Sequence, residues 1–225
     1  MHIGLIGGIG PAATEFYYRG LIDRHERSGT RLDLTIAHAD VHEMSRNLAS
    51  RDAQKQAEAF APLIARLAAA GAHAAAVTSM GGHFCIRELE AMSPLPLLNA
   101  LPEVDAAIKQ RRFKKVGIIG TRMVMETRLY GVISAAEVAV PQGAELDEVH
   151  RNYADMATVG RVTDAQRQVF FTAGRRLCRD QGAELVLLGG TDLFLAFQGT
   201  DCGFPVLDCA DIHVDAIYRK SLEGV

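Results

Sequence analysis

The sequence predicts an α/β protein made of two related halves, each a parallel sheet flanked by helices. Two observations lead to this prediction. The first is an internal repeat, in which AGAHAAAVTSM, beginning at Ala70, matches QGAELVLLGGT, beginning at Gln181. The second is that short apolar runs rich in Ile, Val and Leu alternate with amphipathic stretches, a pattern typical of buried parallel strands joined by helices. In the register of the repeat, Ser79 lies over Gly190.

The repeat extends well beyond this segment. Its further pairs are HIGLIGG (2–8) with KVGIIGT (115–121), QAEAFAPLIARLAAAG (56–71) with QVFFTAGRRLCRDQG (168–182), and LPLLNA (95–100) with FPVLDCA (204–210). Two copies of one unit predict a pseudo-twofold relationship that places Ser79 and Gly190 on opposite sides of a central cleft. The expected domain limits give a first domain of residues 1–97 with 208–225 and a second of residues 98–207.

Strands and helices are predicted in alternation. The predicted strands are 3–6, 32–37, 74–78, 116–119, 185–188 and 206–207, and the predicted helices are 11–25, 52–70, 103–110, 125–133, 164–181 and 211–222. Pro11 suits a first helical turn because it lacks an N–H that would have no partner there. Thr163 with Asp164 predicts an N-cap, and Gly71 and Gly182 end two helices in matching fashion. Functional groups are then expected at the carboxyl ends of the strands.

Composition excludes several classes of protein. The 225 residues are 48% hydrophobic and 23% charged, with a formal net charge of −3 and no basic stripe, so a nucleic-acid partner is not expected. No apolar run approaches the roughly 18 residues of a membrane span, and no leader precedes the first strand, which predicts a cytoplasmic protein that does not enter a membrane. The four cysteines lack CxxC or zinc-ligand spacing, so neither disulfides nor a metal are expected.

Glycines and small hydroxyl residues follow the predicted strands. At such positions backbone N–H groups, hydroxyls and helix N-termini can converge on an anion. We therefore expect the protein to bind a small carboxylate or amino acid there. The candidate ligand-binding residues are Gly8, Pro11, Thr14, Thr78, Thr121, Arg122 and Thr191.

One motif suggests a different ligand. GIGPAA, beginning at Gly8, fits the G-x-G-x-x-A fingerprint of dinucleotide-binding proteins. That fold also requires an acidic residue about 20 positions further on, at the end of the second strand. Here Asp33 lies at the start of the predicted strand, and its end has His38 and Asp40. The sequence therefore disfavours a nucleotide, and no cofactor is expected.

Four segments point to a known family. GLIGGIGPAATEFYYRGL resembles the G-G-M-G-P-x-A-T opening of the cofactor-independent aspartate/glutamate racemases. KVGIIGTRMVMETRLYGVI is similar to their second-half strand and loop, VLLGGTDL lies where they have L-G-C-T-E, and PVLDCADIHVDAI looks like their closing segment. The resemblance covers essentially the whole chain. It implies two pseudo-twofold-related Rossmann-like domains with the active site between them, and a homodimer is the usual assembly in folds of this kind.

The resemblance implies catalysis by two cysteines, one from each half, that exchange the Cα proton on opposite faces of the substrate. The family's C-N-T-x-H stretch falls on SMGGH, which puts Ser79 at the first cysteine position and Gly190 at the second, so this member lacks both thiols. Serine could act as a base only if a neighbour such as His83 received its proton, and glycine offers no acceptor. Asp192 follows Thr191 at a position where the family has an acidic residue. Two roles are open for it: a hydrogen-bond partner in the catalytic site, or a helix N-cap.

Other residues do not obviously supply the missing bases. Cys85 and Cys178 are expected on helices, Cys202 in a turn and Cys209 at the start of the last helix. Asp208 and His213, in the closing motif, are expected to support the cleft structurally. Four positions match family residues that line the cleft, namely Pro11, Thr14, Thr121 and Thr191, whereas a threonine of the relatives is Val124 here.

A histidine-rich segment and a polar segment allow two interpretations each. His38, Asp40 and His42 alternate, as metal ligands on one face of a strand would, but a strand-end loop that scatters them is favoured. Residues 44–51 are polar and irregular, which suits either a mobile lid or an ordinary solvated loop.

Two functions of different classes remain open. The first is a racemase-family isomerase, or a related lyase, that acts at Cα of a small amino acid or dicarboxylate with non-standard catalytic residues. The second is a catalytically inactive homologue that binds a carboxylate. Both need the same fold and the same anion-binding loops. In either case two-base racemisation should be very slow or absent, because Gly190 leaves one face of Cα without a proton carrier.

Overall fold

The computed structural model describes residues 1–223, which form two compact units. Unit 1 is Met1–Ala100 with the segment that begins at Asp211, and unit 2 is Leu101–Ala210. Each unit is a parallel sheet flanked by helices, which confirms the predicted fold class. The domain limits expected from the sequence, at residues 97 and 208, stay a prediction, and residues 224–225 lie outside the described residues.

Strands and helices alternate through most of the described chain. The strands are β1 (Ile3–Gly7), β2 (Leu34–His38), β3 (Ala74–Val77), β4 (Lys115–Ile119), β5 (Glu137–Ala139), β6 (Leu185–Leu188) and β7 (Val206–Asp208). The α-helices are α1 (Pro11–Ser28), α2 (Val41–Ala49), α3 (Ala53–Ala69), α4 (Ile86–Met92), α5 (Ala100–Arg111), α6 (Arg122–Glu126), α7 (Ala144–Val159), α8 (Asp164–Arg179), α9 (Phe194–Phe197) and α10 (Cys209–Ser221). None of the helices within residues 1–223 combines the length and the apolar character needed to cross a bilayer.

The sheet of unit 1 has the strand order β2-β1-β3. Gly7 pairs with His38 and Ile6 with Val77, so the three strands end at the same edge. The central strand is buried throughout, and Leu67 of α3 packs so closely on Gly4 that a Cβ there would lie 2.9 Å from the Leu67 Cδ1. The direction of strand succession changes between β1 and β3, and ligands of open α/β sheets bind beyond the carboxyl ends of strands at such a switch point.

The sheet of unit 2 has the order β5-β4-β6-β7, so its switch point lies between β4 and β6. Ile119 pairs with Leu188 at the ends of these strands. The loops that follow are in close contact, because a Cβ on Gly120 would lie 2.9 Å from the backbone carbon of Gly189. Only glycine permits this approach, which brings the two strand-end loops of unit 2 together.

Several local predictions are confirmed. Pro11 is the first residue of α1, and Thr163 caps α8 with a reciprocal capping box to Gln166. Gly71 and Gly182 adopt positive φ angles of 91° and 73° just after α3 and α8, as the repeat predicts. The two copies therefore end their corresponding helices with the same backbone conformation.

The helix predicted at 125–133 is wrong. Helix α6 ends at Glu126, and Arg128, Leu129 and Tyr130 all adopt left-handed φ angles between 52° and 59°. The turn is stabilised locally, since the Thr127 hydroxyl accepts a hydrogen bond from the Tyr130 N–H at 2.9 Å. Leu129 is fully buried, so its packing compensates for a backbone conformation that is unfavourable for leucine.

The polar segment 44–51 is not an irregular lid. Most of it belongs to α2, which Asp40 caps by accepting a hydrogen bond from the Glu43 N–H at 2.8 Å. Its inner face buries Met44 and Asn47. The Asn47 amide donates to Gln56 at 3.1 Å, so a buried polar contact, which hydropathy does not reveal, fixes this helix.

Candidate active site

The switch point of unit 1 joins the loop after β1 to the end of β3. The Gly8 N–H donates to the Thr14 hydroxyl at 2.8 Å, and this hydroxyl donates to the Gly10 carbonyl at 3.2 Å. The Thr78 hydroxyl lies 3.5 Å from that of Thr14 and donates to the Ile6 carbonyl at 3.0 Å. The structure thus brings Gly8, Thr14 and Thr78 together. The hydrogen bonds that the two threonine hydroxyls donate to backbone carbonyls hold the loop and fix the backbone around Gly8.

Ser79 follows this cluster and begins the turn after β3. Its hydroxyl oxygen accepts a hydrogen bond from the Gly82 N–H at 3.1 Å. The His83 ring contacts the same residue at a different atom, since its Nδ1 lies 2.7 Å from the Ser79 carbonyl and its Nε2 accepts from the Ala100 N–H at 3.3 Å. A carbonyl can only accept, so Nδ1 bears the proton. Both ring nitrogens are engaged, and no relay from the Ser79 hydroxyl to His83 is formed.

Two buried histidines form a structural network in unit 1. Burial lowers the pKa of His83 to about 4, and burial together with the neighbouring His83 lowers the pKa of His213 to about 3. The His213 ring bonds to the Tyr17 hydroxyl at 2.9 Å and to the Leu98 carbonyl at 2.7 Å. Both imidazoles are therefore neutral near pH 7 and serve as buried hydrogen-bonding groups.

His38 lies at the same strand edge but is exposed. Its ring packs over Gly8, where a Cβ would lie 2.3 Å from the His38 Nδ1. It also lines a pocket of about 270 Å³ together with Asp40, Gln56, Phe60 and other residues of α2 and α3. His38 ends β2, whereas Asp40 caps α2 and His42 lies within α2, so these three residues do not share one strand. From the sequence, His38 was considered only as a metal ligand. Its position at the end of a strand that neighbours the glycine loop is the signal that could have identified it as a candidate site residue.

At the switch point of unit 2, Thr121 and Arg122 follow β4. The Thr121 hydroxyl accepts from the Val124 N–H at 3.3 Å and so caps α6. The Arg122 guanidinium pairs with Asp147 at 2.5 Å and with Glu126 at 3.4 Å. The hydrogen bond that the Arg122 guanidinium donates to Asp147 raises the pKa of Arg122 above its usual value. A ligand carboxylate would have to compete with these two acidic side chains for the guanidinium.

Gly190 follows β6, and a tyrosine occupies the space beside it. A Cβ on Gly190 would lie 2.2 Å from Cε2 and 2.9 Å from the hydroxyl oxygen of Tyr153. Tyr153 belongs to α7, a helix that the sequence did not predict, and its phenol donates to the Asp192 carboxylate at 3.1 Å. The Thr191 hydroxyl approaches the same carboxylate oxygen at 3.5 Å. Burial and the Asp192 charge raise the pKa of Tyr153 well above its usual value, so the phenol is protonated.

Three of the four cysteines lie in surroundings that disfavour a thiolate. Burial raises the pKa of Cys85 to about 12 and also raises the pKa values of Cys178 and Cys209. The Cys202 thiol donates to the Phe204 carbonyl at 3.2 Å. A thiol acts as a base or nucleophile through its thiolate, which burial disfavours at Cys85, Cys178 and Cys209. Asp208 caps the start of α10 by accepting from the Ala210 N–H at 2.8 Å.

This arrangement of strand-end loops can be compared with known proteins. The family model described as Asp/Glu/hydantoin racemase matches residues 6–217. The chain belongs to this family. Membership supports a racemase-type function and agrees with the resemblance of the four motifs. Small amino acids are the substrates of the family.

Solved structures give the same result for the fold. A candidate Asp/Glu racemase from Yersinia pestis is 28% identical, with 99% of this chain and 100% of that chain covered and a TM-score of 0.83. An aspartate racemase homologue from Pyrococcus horikoshii is 23% identical, with 99% of each chain covered and a TM-score of 0.79. Glutamate racemase from Francisella tularensis, solved with D-glutamate, is 14% identical, with 100% of this chain and 84% of that chain covered and a TM-score of 0.71.

Proposed function

We propose that the protein binds a small amino acid or dicarboxylate at its strand-end loops and acts at the ligand's Cα without a cofactor. The observation on which this rests is the switch point of unit 1, where Gly8, Thr14, Thr78 and Ser79 meet beside the start of the 18-residue helix α1. The N-terminus of a helix favours a carboxylate at this place. The racemase family supports the same class of ligand.

His38 is the base that we propose for this half of the protein. Its imidazole is exposed beside Gly8, whereas the rings of His83 and His213 are buried and engaged at both nitrogens. In the proposed step the imidazole takes the Cα proton, and the electron pair passes into the ligand carboxylate as an enediolate. Backbone N–H groups of the glycine loop then stabilise the negative charge. We also propose that the protein is a homodimer and that it is cytoplasmic. Sedimentation equilibrium would test the oligomeric state.

A second candidate is a homologue that binds the ligand without catalysis. Two observations favour it. A protonated Tyr153 fills the space beside Gly190, and His83 is not placed to accept the proton of the Ser79 hydroxyl. A phenol whose pKa is raised stays protonated near pH 7, so it is a weak acid and cannot take up the Cα proton. Exchange of protons between two bases is therefore disfavoured.

One pair of measurements separates the candidates. Calorimetric titration with L- and D-aspartate, L- and D-glutamate, malate and phosphate tests binding, and proton NMR in deuterated water follows loss of the Cα hydrogen from whichever amino acid binds. Binding with hydrogen exchange supports the isomerase, and binding without exchange supports the inactive homologue. Failure of the whole panel to bind would refute both.

A further inference from the structure

Unit 1 has a pocket between the end of β2 and the helices α2 and α3. Its volume is about 270 Å³, and all the residues that line it belong to unit 1. Ala39, Phe60 and Leu63 form a buried apolar wall. The polar side chains of the lining are His38, Asp40, Glu43, Gln56 and Arg66. An apolar wall with a few convergent polar groups is typical of a site for a small molecule.

Gln56 presents an unused hydrogen-bond donor to this pocket. The residue is 1% exposed, and its Oε1 accepts a hydrogen bond from the Asn47 amide at 3.1 Å. Within residues 1–223 the Gln56 Nε2 donates no hydrogen bond, yet every fully enclosed polar side-chain atom there has a partner. The Nε2 therefore reaches open space, and the open space that Gln56 lines is the pocket. A buried donor in this position favours a ligand with an oxygen acceptor.

Glu43 and Arg66 contribute one unpaired charge of each sign. Neither side chain forms an ion pair within the part of the chain that the structure describes. Asp40 differs, because its carboxylate accepts from the Glu43 N–H at 2.8 Å, and this hydrogen bond lowers the pKa of Asp40. Arg66 follows Gln56 by ten residues on α3, which separates the two Cα atoms by about 15 Å along the helix axis. The pocket thus offers a negative and a positive group at separate places, with the Gln56 amide as a third contact.

These three groups together select the class of ligand. A simple anion is repelled by Glu43 and a simple cation by Arg66, whereas a zwitterion satisfies both charges. An α-amino acid has both its charges on one carbon atom and no further carbonyl for Gln56. An extended dipeptide separates its charged ends by about 7 Å and has a peptide carbonyl between them. Its side chains can pack on the apolar wall.

We propose that this pocket binds a small apolar dipeptide, whose ammonium lies at Glu43, whose carboxylate lies at Arg66 and whose peptide carbonyl accepts from the Gln56 amide. The site is separate from the strand-end loops of the proposed function and does not depend on that function. His38 lines the pocket and also packs over Gly8, so the two sites adjoin.

Four ligands test the three contacts by calorimetry on the whole protein. L-alanyl-L-alanine has all three groups, its N-acetyl derivative lacks the ammonium, its C-terminal amide lacks the carboxylate, and L-alanine lacks the peptide carbonyl. The dipeptide should bind most tightly. The two derivatives should bind about 10-fold more weakly, the size expected for the loss of a hydrogen bond to a charged group. L-alanine should bind most weakly of the four, because it cannot reach both charges.

Variants of the lining assign each contact to a residue. Glu43→Gln should weaken the dipeptide and its amide by about 10-fold and leave the N-acetyl derivative within about 2-fold. Arg66→Gln should weaken the dipeptide and its N-acetyl derivative and leave the amide unchanged. Gln56→Glu keeps an acceptor for Asn47 and replaces the donor by an oxygen, so it should weaken all three peptides.

Lys55→Gln and Glu58→Gln are the controls, because they remove exposed charges from α3 outside the pocket lining, and they should leave every affinity unchanged. Absence of saturable dipeptide binding overturns the inference. So does L-alanine that binds as tightly as the dipeptide. Dipeptide binding that persists in both Glu43→Gln and Arg66→Gln lies at another site and also contradicts it. None of these outcomes bears on Cα hydrogen exchange, which tests the proposed function separately.

Discussion

The Tyr153 phenol donates a hydrogen bond to the Asp192 carboxylate at 3.1 Å while its ring fills the side-chain space of residue 190. The two observations depend on each other. Gly190 leaves room for the ring, and the ring then places its hydroxyl within reach of an acidic residue two positions further along the chain. In unit 1 the corresponding residue is Ser79, and its hydroxyl accepts a hydrogen bond from the Gly82 N–H.

Gly190→Ala should destabilise the protein by about 1–3 kcal/mol, because the added Cβ would lie 2.2 Å from the buried tyrosine ring. Gly174→Ala is a matched comparison on α8, where a Cβ would lie 2.1 Å from the Phe204 ring, and a similar loss is expected. Urea unfolding measures both. Replacing Tyr153 by Ala in the Gly190→Ala background should cost less than replacing it in the wild type. Equal costs would show that the ring does not occupy the space as described.

The pH dependence of stability should report the buried histidines. The pKa of His83 is about 4 in the folded protein and 6.5 as the ordinary value, so the unfolded chain binds more protons between these values. Stability is then fully present above pH 6.5 and falls as the pH drops towards 4, by about 3 kcal/mol for this group. His213, with a pKa of about 3, adds in the same direction.

Urea unfolding at several pH values between 4 and 7 tests this prediction. His83→Gln should flatten part of the dependence, whereas His73→Gln, at an exposed position, should not. An unchanged slope in His83→Gln would mean that the imidazole is not held neutral by burial.

His38→Gln should abolish exchange of the Cα hydrogen if the isomerase proposal holds, while leaving ligand affinity within a few-fold of the wild type. The reason is that glutamine keeps a polar side chain beside Gly8 but cannot take a proton. The control is His73→Gln, an exposed histidine that precedes β3 and therefore lies at the opposite sheet edge. A variant with undiminished exchange would exclude His38 as the base.

Most strands and the glycine-ended helices could be predicted from the sequence because these depend on local patterns, whereas the short strand β5 was not predicted. Apolar runs identify β1, β3, β4 and β6, and the conformations of Gly71 and Gly182 follow from the repeat itself. Pro11 and the Thr163 cap are equally local, since each acts within one helical turn.

The rest depended on contacts between distant residues. Helix α7 was not predicted because its apolar residues are few and separated by many polar ones, so the Tyr153 contact with Asp192 could not be inferred. The position of His38 over Gly8 follows from the register of β1 and β2, which no local pattern specifies. The turn at Leu129 was missed because left-handed leucine is disfavoured and is accepted here only through burial.

Restoring the two thiols of the racemase family requires a third change. Ser79→Cys is nearly isosteric, but a cysteine at position 190 would place its Cβ inside the Tyr153 ring. The double variant Ser79→Cys/Gly190→Cys should therefore gain little Cα hydrogen exchange in deuterated water. In the two-base mechanism that the family resemblance implies, adding Tyr153→Ala frees the space for the second thiol and should raise the exchange rate by orders of magnitude, since two bases that act as a unit show strongly non-additive effects. Ser79→Cys/Tyr153→Ala is the control and should remain slow. If the double variant already matches the triple one, the tyrosine moves aside without cost and does not restrict chemistry at this position.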